Sequence, residues 1–160
     1  MENVFLLTGS NLGDRKAFLD YACREMKKKL IMRSLSSLYE SEPWGYSSDM
    51  PYLNQCMKVN TDLEPYDLLA FLQEIEKSVG RTKKGGKYED RPLDMDILYY
   101  GKLIIQSEKL IIPHPRLHLR AFTLVPLNEI APLFKHPVFM KTSAELLREC
   151  RDEQMPRKIE

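Results

Sequence analysis

At 160 residues the chain fits one domain (1–160), large enough to bury roughly 70% of its unfolded surface without disulfide staples. A hydrophobic fraction of 43% beside a charged fraction of 29% excludes a disordered or membrane-embedded chain. Lys+Arg 24 against Asp+Glu 23 leave a net charge of +1, so no global field recruits nucleic acid or an anionic membrane, and any anion site must be a local cluster.

The pattern opens with an apolar strand, Val4 to Thr8, running into the turn-forming stretch Gly9-Ser10-Asn11-Leu12-Gly13. Asp14 is placed to cap a helix whose apolar stripe is Phe18, Ala22, Met26 and Leu30. Ile31 to Ser41 reads as one strand. Glu42 to Pro51, rich in Pro, Gly and Ser, reads as a surface loop long enough to suspect function. Tyr52 to Asp62 is a partner strand. Pro65 suits the first turn of a helix with the stripe Leu68, Leu72, Ile75 and Val79, and Gly80 stands where a left-handed C-terminal residue belongs.

Arg81 to Pro92 is a polar, glycine-bearing loop, and the strand Leu93 to Tyr100 that follows is interrupted by Asp94 and Asp96. Gly101-Lys102 marks a turn between that strand and two short pieces, Leu103 to Ile105 and Leu110 to Ile112. A short helix over Phe122 to Ala131, limited by Pro126 and Pro132, and a last one through Ala144, Leu146 and Leu147 complete the chain. Strands in runs with helices between them, rather than strict alternation, indicate an α+β antiparallel sheet flanked by helices. Cys23, Cys56 and Cys150 form no C-x-x-C pair, so they read as reduced packing thiols. An acidic start, Met1-Glu2-Asn3, before a short apolar run does not resemble a signal peptide, which points to a cytoplasmic protein with no membrane partner.

Asp94-Met95-Asp96 carries the most chemistry. On a strand, residues two apart point to one face, about 6.6–7 Å between Cα atoms, so two carboxylates address one volume. A divalent cation relieves their repulsion, and Mg²⁺ favours one or two carboxylates completed by phosphate oxygens and water. The preceding loop supplies five cations, Arg81, Lys83, Lys84, Lys87 and Arg91, with Gly85-Gly86 giving it the freedom of a lid. Magnesium-bound polyphosphate satisfies both sets of charge, and no Walker A sequence is present. His114 and His118 have a helical zinc spacing, but Pro113 and Pro115 flank the first and no third ligand suggests itself, so a phosphate or ribose contact from His114, with Arg116 and Arg120 nearby, fits better. Trp44, Tyr52, Tyr88 and Phe122 lie in or beside loops, where a flat heterocycle can stack, and Asn54 shares a strand face with Tyr52.

These motifs, in order, resemble the 6-hydroxymethyl-7,8-dihydropterin pyrophosphokinase family. The most specific is Arg91-Pro92-Leu93-Asp94-Met95-Asp96-Ile97-Leu98, beside Tyr39-Glu40-Ser41-Glu42-Pro43, Tyr52-Leu53-Asn54-Gln55, Pro113-His114-Pro115-Arg116 and Arg120-Ala121-Phe122. The resemblance implies a monomeric, ferredoxin-like α/β/α transferase of folate biosynthesis that passes pyrophosphate from ATP to the pterin. It implies two Mg²⁺ ions on Asp94 and Asp96, with Lys84, Arg91 and Arg120 completing the catalytic set. By the same likeness Ser41, Trp44, Tyr52, Asn54, Tyr88 and Phe122 surround the pterin. Gln73, Glu76, Lys83, Lys84, Arg91, Ile97, Lys109, His114 and Arg120 meet ATP. The chain departs from the family where Tyr88-Glu89-Asp90-Arg91 replaces a common W-G-P-R, and where Lys83 and Lys109 stand for frequent arginines.

Overall fold

The first apolar run becomes the middle of the molecule in the computed structural model, which describes residues 1–80 and 90–159. β1 (Glu2–Ser10) pairs antiparallel with β4 (Tyr52–Thr61) on one side and β5 (Asp94–Tyr100) on the other. β2 (Ile31–Leu35) and β3 (Tyr39–Ser41) both pair with β4, and a short β8 (Arg157–Lys158) extends the sheet beyond β3. Successive side chains on a strand face opposite ways. Val4 and Leu6 therefore meet α1 (Arg15–Met26) and α2 (Pro65–Ser78), while Phe5 and Leu7 meet α3 (Ala121–Ile130) and α4 (Ser143–Glu149). The expected three-layer α/β/α arrangement around an antiparallel sheet is what the chain forms.

Capping chemistry marks ends of α1, α2 and α4. Asp14 accepts from the Ala17 amide, and Thr142 and Glu145 form a reciprocal capping box at α4. Pro65 opens α2, and Gly80 follows its end at φ +86°. α2 buries Leu68, Phe71, Leu72 and Ile75, each worth about 1.5–3 kcal/mol of transfer from water. Pro126 lies inside α3 rather than limiting it.

Three further expectations are corrected. The buried stripe of α1 is Leu19, Ala22 and Met26, with Phe18 only half-buried, because a strict four-residue step drifts about 40° per turn around a 3.6-residue helix. The strand expected over Ile31 to Ser41 is two strands. At the break Ser36 stands in for the ladder, its amide donating to the Cys56 carbonyl and its hydroxyl accepting from the Cys56 amide. Finally, Gly9 and Ser10 belong to β1 and not to the turn. β6 (Ile105–Gln106) and β7 (Ile111–Ile112) form a hairpin that overlaps the two short pieces expected there. No helix among the described residues is long and apolar enough to cross a membrane.

Candidate active site

The sheet register places the site. Gly9 stands opposite Asp94 on one side and Asn54 on the other, and Leu7 stands opposite Asp96 and Cys56. Asp94, Asp96 and Asn54 therefore share the face that α3 and α4 cover. Gly9 is required between them: a Cβ there would lie 2.6 Å from Asn54 Oδ1 and 3.4 Å from Tyr52 Cδ1. With that space open, Asn54 is buried and donates from Nδ2 to Ser41 Oγ at 3.0 Å, which fixes the orientation of its carboxamide.

Above these residues is a cavity of about 460 Å³, lined by Ser41, Trp44, Tyr46, Tyr52, Asn54 and Phe122. Arg91, Asp94, Asp96, His114, Arg116 and Arg120 complete its wall. A second hollow of about 340 Å³ lies against α2, lined by Gln73, Glu76 and Lys77, and it shares Arg91, Asp94 and Asp96 with the first. β5 is the edge strand, so its carboxylates are reached from both hollows. The first hollow carries the aromatic rings, the second carries Gln73, Glu76 and Lys77, and the acidic pair stands at the join.

The electrostatics of the join are balanced by arginines. Arg91 Nη1 donates to Asp94 Oδ1 at 3.0 Å. The Arg120 guanidinium is buried between rings, 4.6 Å from the Trp44 centroid and 5.3 Å from that of Phe122. Burial lowers its pKa, with Asp96 and Asp94 opposing. His114 is held neutral, its pKa pushed down to about 4 by burial and then by Arg120. Its Nδ1 accepts from the Arg116 amide at 3.2 Å, so the proton sits on Nε2. Tyr52 remains a neutral phenol, its pKa raised by burial, by Tyr46 and by Asp94.

Glu76 does more than line the second hollow. Its Oε2 accepts from the Met95 amide at 2.7 Å, satisfying an N–H of the edge strand between the two aspartates. Among the described residues no group of three or more His, Cys, Asp or Glu side chains is placed to hold a metal ion. Two carboxylates on one strand are nevertheless a fitting donor set for Mg²⁺ when phosphate oxygens and water supply the remaining ligands.

A model of the 7,8-dihydro-6-hydroxymethylpterin-pyrophosphokinase family matches residues 5–132. The chain belongs to this family. A pyrophosphokinase relative from Porphyromonas gingivalis, described as 2-amino-4-hydroxy-6-hydroxymethyldihydropteridine pyrophosphokinase, is 42% identical over 86% of this chain and 95% of its own length. One of the same description from Aquifex aeolicus is 38% identical over 91% of this chain and 90% of its own. Among solved structures, Plasmodium falciparum HPPK-DHPS with pterin and p-hydroxybenzoate superposes with a TM-score of 0.74 at 18% identity. That match covers 92% of this chain but 41% of the longer one, and it carries the fold.

Within this pyrophosphokinase, Ser41, Trp44, Tyr52, Asn54 and Phe122 gather in the first cavity, as do Arg91, Asp94, Asp96, His114 and Arg120. Gln73 and Glu76 gather in the second. Ile97 packs in the core beneath α1 and α2 and lines neither hollow, and Lys109 is exposed beside the β6–β7 hairpin. Lys83, Lys84 and Tyr88 lie outside the described residues. Residue reasoning passed over Tyr46 and Asn11. Tyr46 was findable as another aromatic in the same loop as Trp44, whereas Asn11 looked like an ordinary turn residue and is fully buried.

Proposed function

We propose that the first cavity holds 6-hydroxymethyl-7,8-dihydropterin, that the hollow against α2 holds ATP, and that the enzyme moves pyrophosphate from one to the other where they meet. The supporting observation is that join: Arg91, Asp94 and Asp96 border both hollows at once. The hydroxymethyl oxygen attacks the β-phosphorus of ATP, the bond from that phosphorus to the α–β bridging oxygen breaks, AMP leaves, and the hydroxyl proton passes to solvent. Such a transfer asks the protein chiefly for alignment and for neutralised charge.

Tyr52, Trp44 and Phe122 border the flat ring, and Asn54, oriented by Ser41, reads its donor and acceptor edge. Arg91 and Arg120 offset the charge that builds on the transferring group. His114, with its proton on Nε2, offers a neutral donor to a phosphate or ribose oxygen. Asp94 and Asp96 would hold Mg²⁺, two ions in this reading, whose role when bound is to shield the phosphate oxygens from the attacking nucleophile. The enzyme is read as a cytoplasmic monomer.

The test is release of AMP from ATP and Mg²⁺ by the purified protein, with and without hydroxymethyl-dihydropterin. AMP appearing only with the pterin is expected; no AMP in either case overturns the assignment.

A further inference from the structure

Three segments far apart in sequence meet at Asp90. Its Oδ1 accepts from Asn11 Nδ2 at 2.8 Å and from the Tyr46 hydroxyl at 3.0 Å, and its Oδ2 accepts from Ser48 Oγ at 3.1 Å. Asn11 reinforces the junction. Its Oδ1 accepts from the Arg91 amide at 2.6 Å, its own amide donates to the Arg91 carbonyl at 2.9 Å, and Nδ2 also reaches the Met50 carbonyl at 3.0 Å. A carboxylate with three donors is a strong acceptor site. Burial opposes its ionisation, but the bonds from Ser48, Asn11 and Tyr46 outweigh that and keep the carboxyl below its usual range.

What hangs on this junction is the cavity wall. Ser48 and Tyr46 belong to the segment 42–51, which also carries Trp44, and the Tyr46 hydroxyl stands 3.4 Å from that of Tyr52. On the other side, Arg91 follows Asp90 directly and binds Asp94. A dipeptide thus touches the aromatic side of the cavity with one side chain and the acidic pair with the other. The proline of the W-G-P-R pattern offers no side-chain acceptor at this place.

We infer that Asp90 is a positioning residue that clips the 42–51 segment to the root of the Asp94 strand and so sets where Trp44, Tyr46 and Tyr52 stand around the pterin. This rests on the substrate reading above, but one arm of its test does not. Trp44 is the only tryptophan in the chain, so its fluorescence reports the clipped segment without any substrate. In Asp90→Ala, loss of the charge-assisted bonds raises acrylamide quenching of Trp44 about twofold and the KM for the pterin about tenfold. The kcat and the KM for ATP move less than about threefold, a split that general loosening of the fold does not give.

Asp90→Asn, which keeps an acceptor without the charge, lies between. Ser48→Ala alone gives a rise in pterin KM of about threefold, and adding it to Asp90→Ala gives no further rise, since both break one clip. Unchanged Trp44 quenching in folded Asp90→Ala overturns the inference, as does a KM for ATP that rises in step with that for the pterin. Should Asp90→Ala fail to fold, Ser48→Ala decides by the same two readouts. If the wild-type protein releases no AMP, the substrate reading fails and the quenching comparison alone decides whether the clip exists.

Discussion

The same three strands build two unlike ends on one face of the sheet. At one end Phe5 of β1 and Tyr99 of β5 are buried, and their rings pack with Phe134 at centroid separations of 5.0 and 4.7 Å. His136 closes over Tyr99 edge-on at 5.6 Å and stacks on Phe139 at 4.3 Å. Two register steps along, the same face shows Gly9, Asp96, Asp94 and Asn54 around an open cavity. The β1–β4 pairing runs unbroken through both ends, and the β1–β5 pairing slips by one residue only beside Phe5. The difference lies in side-chain volume and in what lies above: aromatic closure at one end, and at the other arginines and rings that leave a gap. The closed end holds the strands in register, and the open end uses that register to aim charge.

This division is sharpest for a matched pair of substitutions. Asp96→Ala at the open end removes a carboxylate that addresses both hollows, and turnover falls by about 10²–10³-fold, as for loss of a charge-stabilising group. Its melting temperature stays within a few degrees of the parent. Phe5→Ala at the closed end empties a ring site that is 2% exposed, costing about 3–5 kcal/mol. Its folded fraction turns over near the parent rate. Steady-state kinetics and thermal melts on both proteins check the pair; an Asp96→Ala that keeps its turnover, or a folded Phe5→Ala that loses it, breaks the division.

Gly9→Ala tests the boundary between the ends, four residues from Phe5 on the same strand and face. The added methyl must displace Asn54 Oδ1 from 2.6 Å, and crowding of this sort costs about 1–3 kcal/mol. Because Asn54 is tethered to Ser41, the cost falls on the carboxamide that faces the ring, and the KM for the pterin rises more than that for ATP. Equal effects on both constants would place the strain elsewhere.

What could be read from the sequence follows the range of the forces involved. α2 was legible because Pro65, the apolar stripe and Gly80 are all local. Asp94 and Asp96 were legible because strand alternation alone places them on one face. The slip between β1 and β5, by which Phe5 faces Tyr99 but Leu6 faces Ile97, was not. That extra residue lets Leu98 and Tyr99 both enter the core that Asp96 borders, and it depends on the partner strand. The same holds for the Asn11, Tyr46 and Asp90 junction, whose members are separated by tens of residues and betray no periodicity. β8 is two residues long and is held by its pairing with β3, by the Ile159 amide on the Leu38 carbonyl and by Arg157 reaching Glu40 at 2.7 Å, with no apolar pattern to announce it.

The closed end should also contribute its own share to the protein's sensitivity to acid. His136 Nδ1 accepts from the amides of Val138 and Phe139, both at 3.1 Å, so protonating that nitrogen breaks two bonds inside an apolar cluster. Burial, then the neighbouring His118, pushes its pKa down to about 4. The unfolded chain takes up this proton near pH 6.5 and the folded chain only near 4, so the contribution is intact above 6.5 and is lost as pH falls between those values. For a shift of that size the loss is about 2 kcal/mol by pH 5. His114 adds to the decline in the same window, from the cavity side. His136→Asn separates the two, because its carboxamide oxygen still accepts from the Val138 and Phe139 amides but does not titrate. Urea midpoints at pH 7.5 and pH 5 should therefore converge in His136→Asn relative to the parent, and identical acid sensitivity in both proteins would assign the whole decline to groups away from the aromatic end.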